Sequence, residues 1–313
     1  MTTGSGRRKK VIGIGIACLD QLLLWQDAGR PVRGNKIVAH DLQGGGMAAT
    51  ALVAVARLGG EAECWAAIGT DWAAEQIVRG LEQENVDTNQ MVRVEGAIGP
   101  LMVVAVDQPT GERSFPYSSG VPSAAEPIAP PERLAAAGCL LVDGTLHKTA
   151  LSAAREARRL GVPVVADIER LSEETRELLA HVDYAIASEA AARGPGAAGR
   201  YHEACDLIHA MGPTHVVITR GDQGCVHSDG ATFLERKAFP VEVVDTTGAG
   251  DVFHGAFCYG LVEGFPLEHN LAFASAAAAL KCRALGGRAG IPTRAEVEQF
   301  LEQHGALPPG EPM

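Results

Sequence analysis

The chain has 313 residues, 46% apolar and 21% charged, with 37 glycines and an aromatic share of only 5%. That is enough chain for one large packed domain or two smaller ones, and it is too apolar for a disordered one. The formal net charge is −11, which excludes a broad electrostatic grip on nucleic acid. Any anion must therefore be held by local geometry.

Arg7-Arg8-Lys9-Lys10 ahead of an apolar run imitates a secretory leader, but the run ends at Asp20 without a small-x-small cleavage site. Residues 11–18 read instead as a buried first β-strand behind a solvated tail at 1–8. No apolar run approaches the ~20 residues that a membrane-crossing helix needs. Residues 22–40 lack a period and carry Gly29, Pro31 and Gly34 as turn signals. Gly44-Gly45-Gly46 then opens an alanine-rich stretch ending at Gly59, the pattern of a helix buried on all sides. A strand at 63–68, a helix at about 72–85 and a break at Val86-Asp87 follow. Residues 101–106 and 112–117 form a predicted hairpin around Gln108-Pro109-Thr110-Gly111. Together, 22–40 and 91–117 make a small β lid apart from the main sheet.

From residue 136 the rhythm is regular: strand CLLVDG, helix 149–160, strand VPVVADI, helix 173–181, strand DYAIAS, helix 201–211 and strand THVVITRG. Strands alternating with helices of that length predict βαβ units and a mostly parallel sheet covered on both faces. No fixed-period repeat appears, and the Ala/Gly-rich stretch at 190–199 reads as a loop. Cys18, Cys64, Cys139, Cys205, Cys225, Cys258 and Cys282 form no CxxC pair, the usage of reduced thiols in a cytoplasmic protein.

The chemistry concentrates in residues 243–257, VVDTTGAGDVFHGAF. Glycines let the backbone turn so that successive N–H groups point into one small space, and the helix that follows adds its N-terminal partial charge there. The result is a phosphate cradle without a lysine. Asp251 stands at its edge, placed to accept a proton from a hydroxyl attacking a γ-phosphate. Asp is also a residue that starts helices, so the segment by itself leaves a capping role equally open.

Other constellations lead less far. Gly13, Gly15 and Asp41 faintly imitate a dinucleotide fingerprint, but Cys18 fills the third position and no helix follows. No Gly-Lys-Ser/Thr occurs, which excludes a Walker A loop. His202, Cys205 and His209 share one helix face without an evident fourth metal ligand. Lys36, Arg113 and Arg288 are candidates to meet an anionic substrate group, against the default of solvated side chains. Around Asp143-Gly144-Thr145 no basic residue occurs before Lys148.

The 243–257 segment resembles, nearly residue for residue, the C-terminal signature of the PfkB (ribokinase-like) carbohydrate kinases. Gly45-Gly46, with the helix running to Ala56-Arg57-Leu58-Gly59, is similar to that family's N-terminal signature. The likeness spans roughly residues 9–303, and VDTTGAGDVFHGA with ALKCRALGGRAGIP looks most like the sulfofructose kinase branch, with ketohexokinases next. It implies one ribokinase-like three-layer α/β sandwich over 9–303, with lid segments at about 22–40 and 91–117 and tails at 1–8 and 304–313.

The resemblance also implies roles. Asp251 is the catalytic base, and the amides of Gly248, Ala249 and Gly250 hold the transferring phosphoryl group. Asp20, at the end of the first strand, binds the sugar with Gly45, Gly46, Thr50 and Asp251. Ser188, Thr219, Gly221, Gly224, Gly248 and Gly250 line the ATP site. Mg2+ accompanies ATP, and Asp245 with the 283–290 loop holds a monovalent cation such as K+. Three departures stand out: Thr50 replaces the family's usual Asn, Ser188-Glu189-Ala190-Ala191 replaces an N-x-x-E segment, and Ser275 replaces an Asn at the nucleotide. Glu189 then substitutes at the magnesium, or phosphates and water carry the metal. The implied activity is phosphorylation of a hydroxyl on a hexose, ketose or sulfosugar. The alternatives are a nucleoside or deoxy-sugar-acid kinase, or a sensor of weak turnover. Lid strands pairing between subunits would give a homodimer.

Overall fold

Alternation along the central strands sets the layers. Val11, Leu141, Val165, Ile186 and Val217 point to one side of the sheet, and Ile12, Leu140, Val164, Ala185 and Ile218 to the other. Helices Met47–Arg57, Ala249–Glu263, Leu267–Lys281 and Arg294–Gln303 cover the first side. His147–Arg159, Glu173–Leu179 and Tyr201–His209 cover the second. Two apolar layers around one sheet give the expected three-layer sandwich. The computed structural model describes residues 9–26, 36–107, 113–114, 116–118, 126, 129–192 and 200–306. The expected turn at 108–111, the Arg113 side chain, most of the 190–199 loop and the tails at 1–8 and 307–313 lie outside the described residues.

The nine-stranded sheet runs in the order Phe233–Arg236, Cys225–Ser228, His215–Thr219, Tyr184–Ser188, Val164–Ile168, Cys139–Val142, Lys10–Ile14, Glu61–Trp65, Val86–Asp87. All neighbours are parallel except Cys225–Ser228, which is antiparallel to both of its own. In the parallel part the register pairs Ile14 with Val142, Val142 with Ala166, Asp167 with Ile186, and Ser188 with Thr219. Asp143, Asp167, Ser188 and Thr219 thus line one carboxyl-terminal edge, where open α/β sheets bind ligands.

The expected first strand is two strands. The main-sheet strand stops at Ile14, and Cys18–Trp25 belongs to a separate lid sheet. The run is apolar throughout, so its pattern hides the break; the divider is Asp143, whose carboxylate takes the Ile16 N–H at 2.8 Å. Cys18–Trp25 pairs antiparallel with Ile37–Gly45 and parallel with Leu101–Asp107, so both ends of the segment expected to be irregular are lid strand, while 27–35 lie outside the described residues. Arg113–Ser114 and Tyr117–Ser118 pair antiparallel with Leu101–Asp107, in keeping with the expected hairpin. The strand expected at 63–68 also splits, since Ala67–Ile68 leaves the main sheet to pair with Val92–Arg93. The expected break at Val86-Asp87 is instead the sheet's edge strand.

Candidate active site

Residues 245–251 form a turn stitched from behind. One carboxylate oxygen of Asp245 accepts from the Thr247 N–H at 3.0 Å and its hydroxyl at 2.9 Å, while the other accepts from the Gly286 N–H at 2.7 Å. Burial opposes ionisation of Asp245, but those bonds and the Lys281 ammonium outweigh it and hold the carboxyl below its usual range. Gly248 caps the Ala249–Glu263 helix in the left-handed region, φ 76°. A Cβ there would meet the Gly287 carbonyl oxygen at 2.8 Å, so the turn admits only glycine.

The donors this leaves are informative. The Ala249 N–H, expected to face an anion, donates to the Thr246 carbonyl at 3.2 Å and closes the turn. Those of Gly248, Gly250 and Asp251 have no hydrogen-bond partner among the described residues. Gly250 is exposed and its neighbours only half-buried, so these donors open outward. Sequence reasoning missed the Asp251 amide as a donor, although its place in the first helical turn leaves it without an intrahelical acceptor.

Asp251 sits half-buried beside them. Burial, then the charge of Asp167, push its pKa up to about 8. Burial and the neighbouring Glu169 and Asp143 raise Asp167 well above the usual range in turn. His254, one turn along the helix, donates through Nδ1 to the Gly250 carbonyl at 2.7 Å and faces Asp167 through Nε2 at 3.4 Å. Asp143 accepts from Ile16 N, Ala48 N, Thr145 N and Thr145 Oγ1. It ties together the end of the first strand, the start of the Met47–Arg57 helix and its own loop.

Asp20 is on the lid strand Cys18–Trp25, not at the end of the first strand; it pairs with Gln43, and its carboxylate occupies the space left by the missing side chain of Gly45. A Cβ on Gly45 would lie 2.2 Å from the Asp20 carboxylate. Cys18 Sγ donates to that carboxylate at 3.2 Å, and burial raises its pKa. Thr50 lies under the same lid end, its hydroxyl 3.4 Å from Nε of Arg288. The loop carrying Gly287 against the 245–251 turn thus also brings Arg288 to the lid. Ser188 and Thr219 stand side by side across the strand register, followed by the turn from Gly221 to Gly224.

The family model for pfkB family carbohydrate kinases matches residues 9–294. The chain belongs to the PfkB family of carbohydrate kinases. Ribokinase from Bacillus subtilis is 29% identical over 303 residues, covering 91% of this chain and 97% of that protein. The 5-dehydro-2-deoxygluconokinase of Geobacillus kaustophilus is 27% identical over 94% of this chain and 93% of its own. The crystal structure of a ribokinase from Thermotoga maritima superposes with a TM-score of 0.82 at 25% identity, covering 94% of this chain and 99% of that one.

The remaining expected residues of this sugar kinase divide by what already holds them. Ser188 Oγ accepts the Ala191 N–H at 3.1 Å, and Glu189 accepts the Tyr201 hydroxyl, so the segment replacing N-x-x-E is tied into local structure. Among the described residues no group of three or more His, Cys, Asp and Glu could hold a metal ion. Ser275 is buried, with its hydroxyl on the Leu271 carbonyl at 2.7 Å. His202 stacks on Phe233, Cys205 is buried, and His209 bonds Pro213 and Ser228; this helix face is structural. Lys281 is fully buried, and its ammonium donates to the Asp245 carbonyl at 2.8 Å. Asp245, the residue expected beside a monovalent cation, thus has the Lys281 ammonium on its main chain and hydrogen bonds on both carboxylate oxygens. No helix among the described residues is long and apolar enough to cross a membrane.

Proposed function

We propose that this chain transfers the γ-phosphoryl group of ATP to a hydroxyl of a small sugar. The observation that carries the reading is the set of three unpartnered amides, Gly248, Gly250 and Asp251, opening outward beside a carboxyl of raised pKa. These amides and the helix dipole stabilise charge gathering on the transferring group, and Asp251 takes the acceptor's proton. Asp20 and Thr50 hold sugar hydroxyls under the lid, with Gly45 and Gly46 giving close approach. ATP lies along the edge formed by Ser188, Thr219, Gly221 and Gly224. Mg2+, when bound, neutralises nucleotide charge, and these residues fit a metal carried mostly by phosphate oxygens and water. Residues 9–303 act as one unit, the lid excluding water that would compete as acceptor.

A coupled assay of ADP release over neutral sugars, sugar acids, sulfosugars and nucleosides tests the reading. Turnover confined to nucleosides replaces it with the nucleoside-kinase alternative. Tight sugar binding in calorimetry without ADP formation replaces it with a sensor.

We infer that Lys281 supplies the fixed positive charge expected of K+. Activity with choline as the only monovalent cation is expected to stay within about twofold of that in K+, because the charge is already built in. Lys281→Met should introduce K+ dependence in both turnover and Tm. A wild-type enzyme that is inactive without K+ rules the inference out.

The lid also favours a homodimer. Ile37–Gly45 is an edge strand with exposed Ile37, Val38 and Leu42, the type of edge that pairs between copies. Sedimentation of a monomer at micromolar concentration would refute it.

A further inference from the structure

Two arginines are buried among the described residues, and they differ in one respect. Arg220 has Glu235 at 2.8 Å. Arg288, only 5% exposed, has no carboxylate oxygen of a described residue within 4.0 Å. Its Nη2 donates to the Gly45 carbonyl at 2.8 Å and its Nε faces the Thr50 hydroxyl at 3.4 Å. Its Nη1 lies against Gly44, where a Cβ would come within 1.9 Å. A guanidinium has five N–H donors, so three are left without an acceptor among the described residues.

The surroundings supply no counter-charge in contact. Asp20, Cys18, Cys64 and Glu84 are the nearby groups whose charge is felt. Glu84 is held bidentately by Arg57 at 2.6 and 2.8 Å, and Asp20 turns to the Cys18 thiol. The two cysteines are buried thiols whose pKa burial drives far upward, so they carry no charge. Arg57 also donates to the Arg288 carbonyl at 2.9 Å, fixing the segment from below. A buried cation with neutral contacts is costly unless an anion completes it. The planar fork suits a carboxylate or another flat face of oxygens.

We propose that Arg288 receives an anionic group on the sugar, so that the acceptor is an acidic sugar whose hydroxyls meet Asp20 and Thr50. This deepens the sugar-kinase reading and rests on it. Carboxylate, sulfonate and phosphate share the chemistry, and the choice among them is an arm of the test.

The experiment compares wild type, Arg288→Gln and Arg288→Lys on matched acceptors: fructose, 6-deoxy-6-sulfofructose, fructose 6-phosphate and 2-keto-3-deoxygluconate. For the preferred anionic acceptor, Arg288→Gln is expected to lose roughly 100-fold in kcat/KM, mostly through KM, and at least about tenfold less than that on fructose. Arg288→Lys should recover part of the loss, since it keeps the charge and loses the fork. A merely structural arginine would instead lower Tm and slow all acceptors alike, and that outcome overturns the proposal. So does a wild type that prefers fructose with an acid-to-neutral ratio unchanged in Arg288→Gln. Calorimetry of the same acceptors against the full-length protein decides the matter without turnover. Loss of anionic-sugar binding in Arg288→Gln upholds the proposal even if the kinase assay fails, and unchanged binding sinks it while leaving the kinase reading intact.

Discussion

Asp251→Asn is expected to lower kcat by roughly 10²–10⁴-fold, the usual contribution of a positioned general base, with ATP affinity changed by less than about threefold. The amide keeps the shape and leaves the neighbouring N–H donors where they are, so binding of the nucleotide survives and proton removal does not. Single-turnover kinetics and calorimetry separate the two. Near-normal turnover would take the base role from this residue.

The same carboxyl ties activity and stability to pH in opposite directions. Its pKa lies near 8 in the folded protein against an ordinary 3.8, because burial and the charge of Asp167 disfavour ionisation. A base must be ionised, so kcat/KM is expected to rise with pH through about 8 in the wild type. For stability the sign reverses. Between 3.8 and about 8 the native state binds more protons than the unfolded chain, so this carboxyl's contribution is present at low pH and fades as pH rises. Asp251→Asn should therefore match wild type in Tm near pH 4 and exceed it by several degrees above pH 8. A variant that gains nothing at high pH would show that the buried charge is not strained.

How much of this was legible in the sequence follows from the range of each interaction. The alternation of Val11 with Ile12, or Leu140 with Leu141, is a local period and gives away both faces of the sheet. The turn at 245–251 is legible for the same reason, since its glycines and Asp251 fall within a few residues. The split at Gly15 is not, because Asp143 causes it from 127 residues away. Arg288 could be named as a cation but not distinguished from a solvated one, since Thr50 and Gly45 lie 238 and 243 residues from it. The antiparallel strands Cys225–Ser228 and Phe233–Arg236 escaped notice because four mixed residues each are too short to show a period. Ser275 was legible as a departure from the family's Asn, but its bond to the Leu271 carbonyl was not.

Gly248→Ala tests the anion turn without touching any functional side chain. The residue has φ 76°, a conformation that costs an L-residue on the order of 1–2 kcal/mol. A Cβ would also stand 2.8 Å from the Gly287 carbonyl oxygen and 2.9 Å from its Cα, and both are backbone. Neither can rotate away, so the turn itself must move and the amides of Gly248, Gly250 and Asp251 move with it. Losing a preorganised donor of this kind costs roughly 10²–10³-fold in kcat, and Tm should fall by several degrees as well. Gly250→Ala is the control: its φ is not positive, and a Cβ there meets nothing within 4 Å. Its Tm should stay near wild type, so any turnover it loses comes from a methyl intruding where the transferring group sits. If instead Gly248→Ala loses stability and keeps its rate, the amides of this turn do not hold that group, and the phosphoryl site lies elsewhere along the sheet edge.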